Sequence, residues 1–285
     1  MNVIRAETMG MCFGVRAALG TIETIASPET VTIHGQLVHN EAVLADLSRV
    51  GFSMTAEEDR REVPATPLVL ITAHGVSERE RSRLLGAGRT LIDTTCPLVT
   101  RAHQAAARLQ AEGYFVLVIG RPGHVEVRGI VEDLERFEVV QSVDDVKCYP
   151  HEKLGVICQT TTAPALGEAV RSAIESRNPQ AEIRHVDTIC HPTKDNQDAL
   201  ERLLREVEAV VVVGGRNSNN TRELVSLCRS KGRPTLHVAS ADELDPDWLR
   251  GFQTVGLTAG TSTLDVTIDA VHERILEMTG KTTAR

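Results

Sequence analysis

Six cysteines, Cys12, Cys96, Cys148, Cys158, Cys190 and Cys228, are the side chains best suited to redox or metal chemistry in this sequence. Three of them share a context. Cys12, Cys96 and Cys190 each stand where a strand-like apolar run gives way to a segment of helical period. A thiol at a helix N-terminus is acidified by the helix dipole, and the thiolate is a good metal ligand. No two cysteines form a CxxC pair, which argues against a zinc ribbon or a thioredoxin motif. Three readings of the trio stay open on residue type alone. One is a zinc site completed by a histidine. Another is an iron–sulfur cluster with three protein thiolates and one open iron. The third is three small buried hydrophobes. Cys148, Cys158 and Cys228 are read in that last way, with Cys158 inside a strand and Cys228 on a helix.

A second set of polar side chains recurs at strand-to-helix turns. His39 with Asn40, His74, and His124 with Glu126 follow three apolar runs. Thr160 and Thr161, Asn217 to Asn220, and Ser262 follow three more. Helix N-termini offer free backbone N–H groups and a positive dipole end, which suit phosphate. Thr160, Thr161, Ser218, Asn220 and Ser262 are equally suited to cap helices. Ser77 with Glu80 fits a capping box. Glu126 lies two residues after His124: extended backbone would aim both at one substrate, whereas a first helical turn would make the Glu a dipole partner.

The elements that must position these groups are short Val/Ile/Leu runs alternating with amphipathic segments. Leu68–Thr72, Tyr114–Ile119, Leu154–Cys158, Val210–Val213 and Thr254–Thr258 read as buried parallel strands. The pattern is a repeat. Asp93-Thr-Thr-Cys96 resembles Asp187-Thr-Ile-Cys190. After each cysteine of the trio come a helix, a strand, and a glycine at nearly constant offset: Gly35, Gly120 and Gly214. The expected architecture is α/β, with three pseudo-symmetric units on small, mostly parallel sheets. Their boundaries are 13–96, 97–190, and 191–285 with 1–12, the segment Asn2–Glu7 supplying the strand that the last unit lacks. In open parallel sheets, ligands bind beyond the strand C-termini, where all these turns fall.

The 285 residues carry a net charge of −8 with no basic run. That disfavours phosphate-driven nucleic-acid binding and polybasic membrane attachment. No apolar stretch approaches the ~20 residues of a membrane span, and Met1–Gly10 lacks a signal-peptide apolar block. A cytoplasmic location is expected, which also disfavours disulfides. No P-loop, GxGxxG or HExxH pattern is present.

Nine motifs then resemble, in chain order, the LytB/IspH family. They are Met9-Gly-Met-Cys-Phe-Gly-Val15, Leu37-Val-His-Asn40, Ala73-His-Gly-Val-Ser77, Asp93-Thr-Thr-Cys-Pro-Leu-Val99, Gly123-His-Val-Glu-Val127, Gln159-Thr-Thr161, Asp187-Thr-Ile-Cys190, Val213-Gly-Gly-Arg-Asn-Ser218 and Thr258-Ala-Gly-Thr-Ser262. The resemblance implies a trefoil of three α/β units around a central 4Fe–4S cluster, also found as 3Fe–4S, held by Cys12, Cys96 and Cys190. It implies reductive dehydroxylation of 4-hydroxy-3-methylbut-2-enyl diphosphate to isopentenyl and dimethylallyl diphosphate, the last step of the non-mevalonate isoprenoid pathway. Glu126 would deliver protons, with Thr160 and His124 in its network. The diphosphate would sit among His39, His74, His124, Thr160, Ser218, Asn219, Asn220 and Ser262. A ferredoxin- or flavodoxin-type carrier would supply electrons, and neither nucleic acid nor membrane is an expected partner.

The chain departs from the family pattern in places. Asn219 replaces a serine, His191-Pro-Thr-Lys-Asp-Asn-Gln197 replaces a Tyr-Ala-Thr…Asn-Arg-Gln segment, and Leu264 stands for a frequent proline. These departures motivate one alternative, a catalytically silent iron–sulfur sensor or binding paralogue. A zinc-dependent hydrolase of phosphorylated compounds is the other.

Overall fold

A computed structural model of the chain describes residues 1–57, 60 and 62–278. The chain divides into two compact units. Met1–Phe13, His39–Glu41 and the chain from His191 onward form one, and Gly14–Val38 with Ala42–Cys190 form the other.

The larger unit holds two four-stranded sheets, both wholly parallel. The first comprises β2 (Val31–His34), β3 (Ser53–Met54), β4 (Leu68–Ile71) and β5 (Thr90–Asp93), ordered β3-β2-β4-β5. The second comprises β6 (Phe115–Ile119), β7 (Phe137–Val140), β8 (Lys153–Cys158) and β9 (Glu182–His185), ordered β7-β6-β8-β9. Parallel pairing requires crossovers, and helices supply most of them. They are α1 (Phe13–Glu23), which leads into β2, α2 (Glu41–Val50), α3 (Glu78–Gly86), α4 (Pro97–Ala111), α5 (Val125–Val131) and α6 (Pro164–Arg177). The smaller unit adds α7 (His191–Leu203), α8 (Asn219–Ser230), α9 (Pro246–Leu249) and α10 (Asp265–Met278). Its sheet is also parallel, ordered β1-β12-β10-β11, from β1 (Asn2–Arg5), β10 (Ala209–Val213), β11 (Thr235–Val238) and β12 (Thr254–Ala259).

The three sheets follow one plan. Two central strands are almost wholly buried because they are covered on both faces, and in each sheet one of them, β4, β6 or β10, is a continuous apolar run: every residue of Ala209–Val213 is fully buried, as are Val116 to Ile119. One edge strand in each sheet has four residues with exposed polar ends and no fully buried side chain: β1, β5 and β9. A short, polar edge resists pairing with another chain. The N-terminal strand therefore fills in its sheet the place that β5 and β9 fill in theirs, as expected for Asn2–Glu7. Among the described residues, no helix is long and apolar enough to cross a membrane.

Leu257 is fully buried in the central strand β12, in contact with the α10 side of the core. Leu257→Ala should lower unfolding stability by about 2–5 kcal/mol, the cost of a cavity added to lost burial. Urea denaturation checks this, and a loss below 1 kcal/mol would mean that the site collapses around the smaller side chain.

Candidate active site

The cysteine trio is set by a repeated backbone bond. Each cysteine donates its N–H to the carbonyl of the second residue past the end of a central strand: Cys12 to Thr261 beyond β12 at 3.0 Å, Cys96 to Ala73 beyond β4 at 3.1 Å, and Cys190 to Thr160 beyond β8 at 2.9 Å. A helix begins at the next residue each time: α1, α4 and α7. At Cys96 the following Pro97 suits this start, since a first-turn N–H needs no partner. All three are half-buried, whereas Cys158 and Cys228 are buried and Cys148 is exposed. Burial pushes the Cys228 thiol up to about 12. Soft donors at helix starts, half-open to their surroundings, fit a thiolate-held cluster. Among the described residues, no three His, Cys, Asp or Glu side chains gather as ligands of one metal ion.

In the larger unit, Glu126 is the notable carboxyl. It sits in the first turn of α5 and is 1% exposed. The extended-backbone expectation for His124 and Glu126 is therefore replaced by a helix start, because His124 is the N-cap: its Nδ1 accepts the Glu126 N–H at 3.2 Å. A ring nitrogen that accepts is unprotonated, so a neutral His124 carries its proton on Nε2. The Glu126 carboxyl accepts from the Thr160 N–H at 2.7 Å and from the Thr160 hydroxyl at 2.9 Å. Burial raises its pKa to about 7, and the two Thr160 bonds oppose this without cancelling it. The His74 ring meets His124 edge-on, with centroids 5.8 Å apart. Glu126, Thr160, His124 and His74 thus form one patch, and Thr160 joins it to Cys190 through its carbonyl.

In the smaller unit, Cys12, His39, Asn40, Ser218, Asn220 and Ser262 are tied together. Asn40 Nδ2 donates to the Ser262 carbonyl at 2.8 Å. The Ser262 hydroxyl lies 3.4 Å from both the His39 carbonyl and the Ser218 hydroxyl. Ser218 caps α8, accepting the Thr221 N–H at 3.3 Å. Asn220 Oδ1 accepts from the N–H of Thr261 at 3.0 Å, the residue whose carbonyl holds Cys12. The result is a cradle of neutral donors at a helix N-terminus. Asn219 opens α8 and is 8% exposed. Gly215 makes the cradle possible, since a Cβ there would lie 2.5 Å from the His39 carbonyl oxygen.

The unusual segment after Cys190 has defined work. His191 stacks on Phe13, centroids 5.4 Å apart and 8° from coplanar. Thr193 is buried and accepts from Asn220 Nδ2 at 3.4 Å, and Asn196 Nδ2 donates to the Ala259 carbonyl at 3.3 Å. These two supporting roles had no sequence signal beyond residue type. The Ser77 cap forms, accepting the Glu80 N–H at 3.0 Å. The reciprocal half of the expected capping box gives way to other partners, because the Glu80 carboxylate binds His34 at 2.8 Å and Arg83 at 2.6 Å. That pairing, missed in the sequence, joins groups 46 residues apart, and no local pattern marks it.

Residues 3–276 match the family model described as LytB protein. The chain is 38% identical over 275 residues to the 4-hydroxy-3-methylbut-2-enyl diphosphate reductase of Anaeromyxobacter sp. (strain Fw109-5), covering 95% of both chains. It is 32% identical over 285 residues to the reductase of the same name from Aquifex aeolicus (strain VF5), covering 98% of this chain and 97% of that one. Among solved structures, the fold resembles the E-1-hydroxy-2-methyl-but-2-enyl-4-diphosphate reductase of Plasmodium falciparum with a TM-score of 0.87 and 26% identity. The likeness covers 94% of this chain and 86% of that one.

The raised Glu126 pKa makes a signed prediction. A carboxyl that holds its proton more tightly when folded contributes stability below its unfolded pKa of 4.5 and loses it as pH rises through about 7. Glu126→Gln removes this dependence. The variant should gain about 3 kcal/mol on the wild type between pH 4.5 and pH 8. Parallel denaturation curves at those pH values read the difference, and other titrating groups cancel in it. A constant difference would place the Glu126 carboxyl at its ordinary pKa.

Proposed function

The chain belongs to the LytB family, and from that premise we propose that it is a 4-hydroxy-3-methylbut-2-enyl diphosphate reductase. The reaction replaces the substrate's C–OH by C–H, consuming two electrons and two protons and releasing water. The products are isopentenyl and dimethylallyl diphosphate, and the step is the last of the non-mevalonate pathway. The observation that carries the mechanism is Glu126, a buried carboxyl with its pKa near neutrality. A general acid works best when its pKa lies near the operating pH. The hydroxyl must leave as water, so a proton has to reach it. Glu126 holds that proton, Thr160 fixes the direction in which the carboxyl points, and His124 Nε2–H and His74 line the approach.

The enzyme is an iron–sulfur protein in this reading. Cys12, Cys96 and Cys190 hold a 4Fe–4S cluster, and Cys148, Cys158 and Cys228 do not. Cysteine thiolates are the usual ligands of iron–sulfur clusters, and these three cysteines would be the ones to hold it. When bound, the cluster supplies electrons one at a time and a Lewis-acidic iron. In this reading the diphosphate-binding residues are His39, Ser218, Asn219, Asn220 and Ser262 of the smaller unit and His74, His124 and Thr160 of the larger. The sequence units 13–96, 97–190 and 191–285 with 1–12 each contribute one cysteine and one sheet. A ferredoxin- or flavodoxin-type carrier brings the electrons, in the cytoplasm.

Anaerobically purified protein should contain iron and sulfide and should turn over the hydroxylated diphosphate with a chemical reductant. Serine in place of Cys12, Cys96 or Cys190 should abolish the intact cluster, and serine at the other three positions should not. Equal losses from both sets would defeat the ligand assignment, and zinc without iron would favour a hydrolase. Glu126→Gln should retain the cluster but lower turnover by roughly 10²–10⁴-fold. Near-normal turnover would remove Glu126 from proton delivery.

A further inference from the structure

A second face of helix α5 lines a pocket. Val125, Arg128, Gly129 and Glu132 follow the three- and four-residue spacing of one helical stripe. They line a pocket of about 620 Å³ within the larger unit, together with Arg60, Val76, Ser77, Arg79, Glu80 and Arg83. Glu126 points off this stripe toward Thr160, and none of the residues given to the reductase lines the pocket. Four arginines and two glutamates line it, with the Glu57 carboxylate against Arg60 and the Asp133 carboxylate accepting the Arg79 backbone N–H at 3.1 Å.

The ion pairing leaves positive charge over. Arg83 is neutralised by Glu80 through a fork, Nε–Oε2 at 2.7 Å and Nη2–Oε1 at 2.6 Å. Arg60 is 7% exposed and pairs with Glu57, Nε–Oε2 at 3.0 Å. Arg128 gives one N–H to a neutral acceptor, the Glu57 carbonyl, at 3.1 Å. Among the described residues neither Arg128 nor Arg79 makes an ion pair, and the Glu132 carboxylate accepts the Ser77 hydroxyl at 2.9 Å. Burial lowers the Arg60 pKa, Glu57 opposes this, and the charge of Arg128 lowers it further. Arg79 and Arg128 line the same pocket; guanidiniums with no carboxylate partner suit an anion with two or more charges, and their planar forks suit phosphate oxygens. Val76, Val125 and Gly129 add an apolar wall.

We propose that this pocket binds a short-chain organic diphosphate ester, with its charged head on Arg128 and Arg79 and its apolar part on Val76 and Val125. The occupant would also press on the two segments that carry the catalytic patch. Val125 adjoins Glu126 and His124, and Val76 follows His74 by two residues. Occupation would thus tune turnover from outside the substrate site. This tuning rests on the reductase reading, whereas the binding does not.

Calorimetric titration of the anaerobic holoenzyme with isopentenyl diphosphate and, separately, with inorganic pyrophosphate tests the proposal. Two binding steps are expected for isopentenyl diphosphate. Arg128→Gln should weaken one step by roughly 10- to 100-fold, the worth of a charge-assisted hydrogen bond. It should leave the other step and the substrate KM unchanged. Arg79→Glu, on an exposed side chain, should weaken the same step and serves if the Arg128 variant does not fold. Inhibition through this pocket should be non-competitive in the wild type and absent in both variants. A single step insensitive to both substitutions overturns the site. Pyrophosphate binding as tightly as isopentenyl diphosphate overturns the ester. If the enzyme fails to turn over, the reductase reading fails, and the titration still decides the pocket.

Discussion

Three backbone hydrogen bonds organise this molecule. Each runs from a cysteine N–H to a carbonyl two residues beyond a central strand, at 2.9 to 3.1 Å. The bond satisfies a donor that a helix start would otherwise leave open. It also sets where a thiol stands relative to the turn that follows the strand. That turn carries the other chemistry: Thr160 beyond β8, His74 beyond β4, and Thr261 with Ser262 beyond β12. Sheet, thiol and polar turn are therefore positioned together, and a shift in any strand moves all three.

Glu126 shows how burial decides chemistry. Two hydrogen bonds from Thr160 favour its ionised form, and full desolvation disfavours it more strongly. The outcome is a carboxyl that keeps a proton to near neutrality. The stability this costs above neutral pH is the desolvation penalty of ionising a buried carboxyl. The cradle in the smaller unit uses the opposite strategy. Ser218, Asn220, Ser262 and the α8 N-terminus are neutral, and they are ordered by bonds to one another rather than by ion pairs. Such donors bind an anion without adding a buried charge that would itself need a partner.

The departures from the family pattern fall where the fold has absorbed them. Asn196, standing for an arginine, donates to the Ala259 carbonyl at the end of β12. Thr193 braces Asn220, and His191 stacks on Phe13. These supporting positions are thus filled by side chains with defined partners inside the smaller unit.

Central strands such as Val210–Val213 were legible because burial on both faces favours unbroken Val/Ile/Leu runs; Val31–His34, interrupted by Thr32 and His34, carries no such run. The place of Cys12, Cys96 and Cys190 at strand-to-helix junctions was legible because apolar periodicity changes there. So was Asn2–Glu7 as the missing edge strand, since the repeat left one position unfilled. Other features depended on contacts between distant segments. The helical start at Val125 was one of two local options, and the His124 ring settled it by capping the Glu126 N–H. The Glu126 pKa depends on what covers the side chain, which local spacing does not specify. The pairing of His34 with Glu80, which leaves the capping box half-made, joins groups far apart in the chain. Periodicity reports whether a residue is buried. Only the folded packing determines which polar atom lies within 3 Å of it, and pKa, tautomer and the pairing of arginines all follow from that distance.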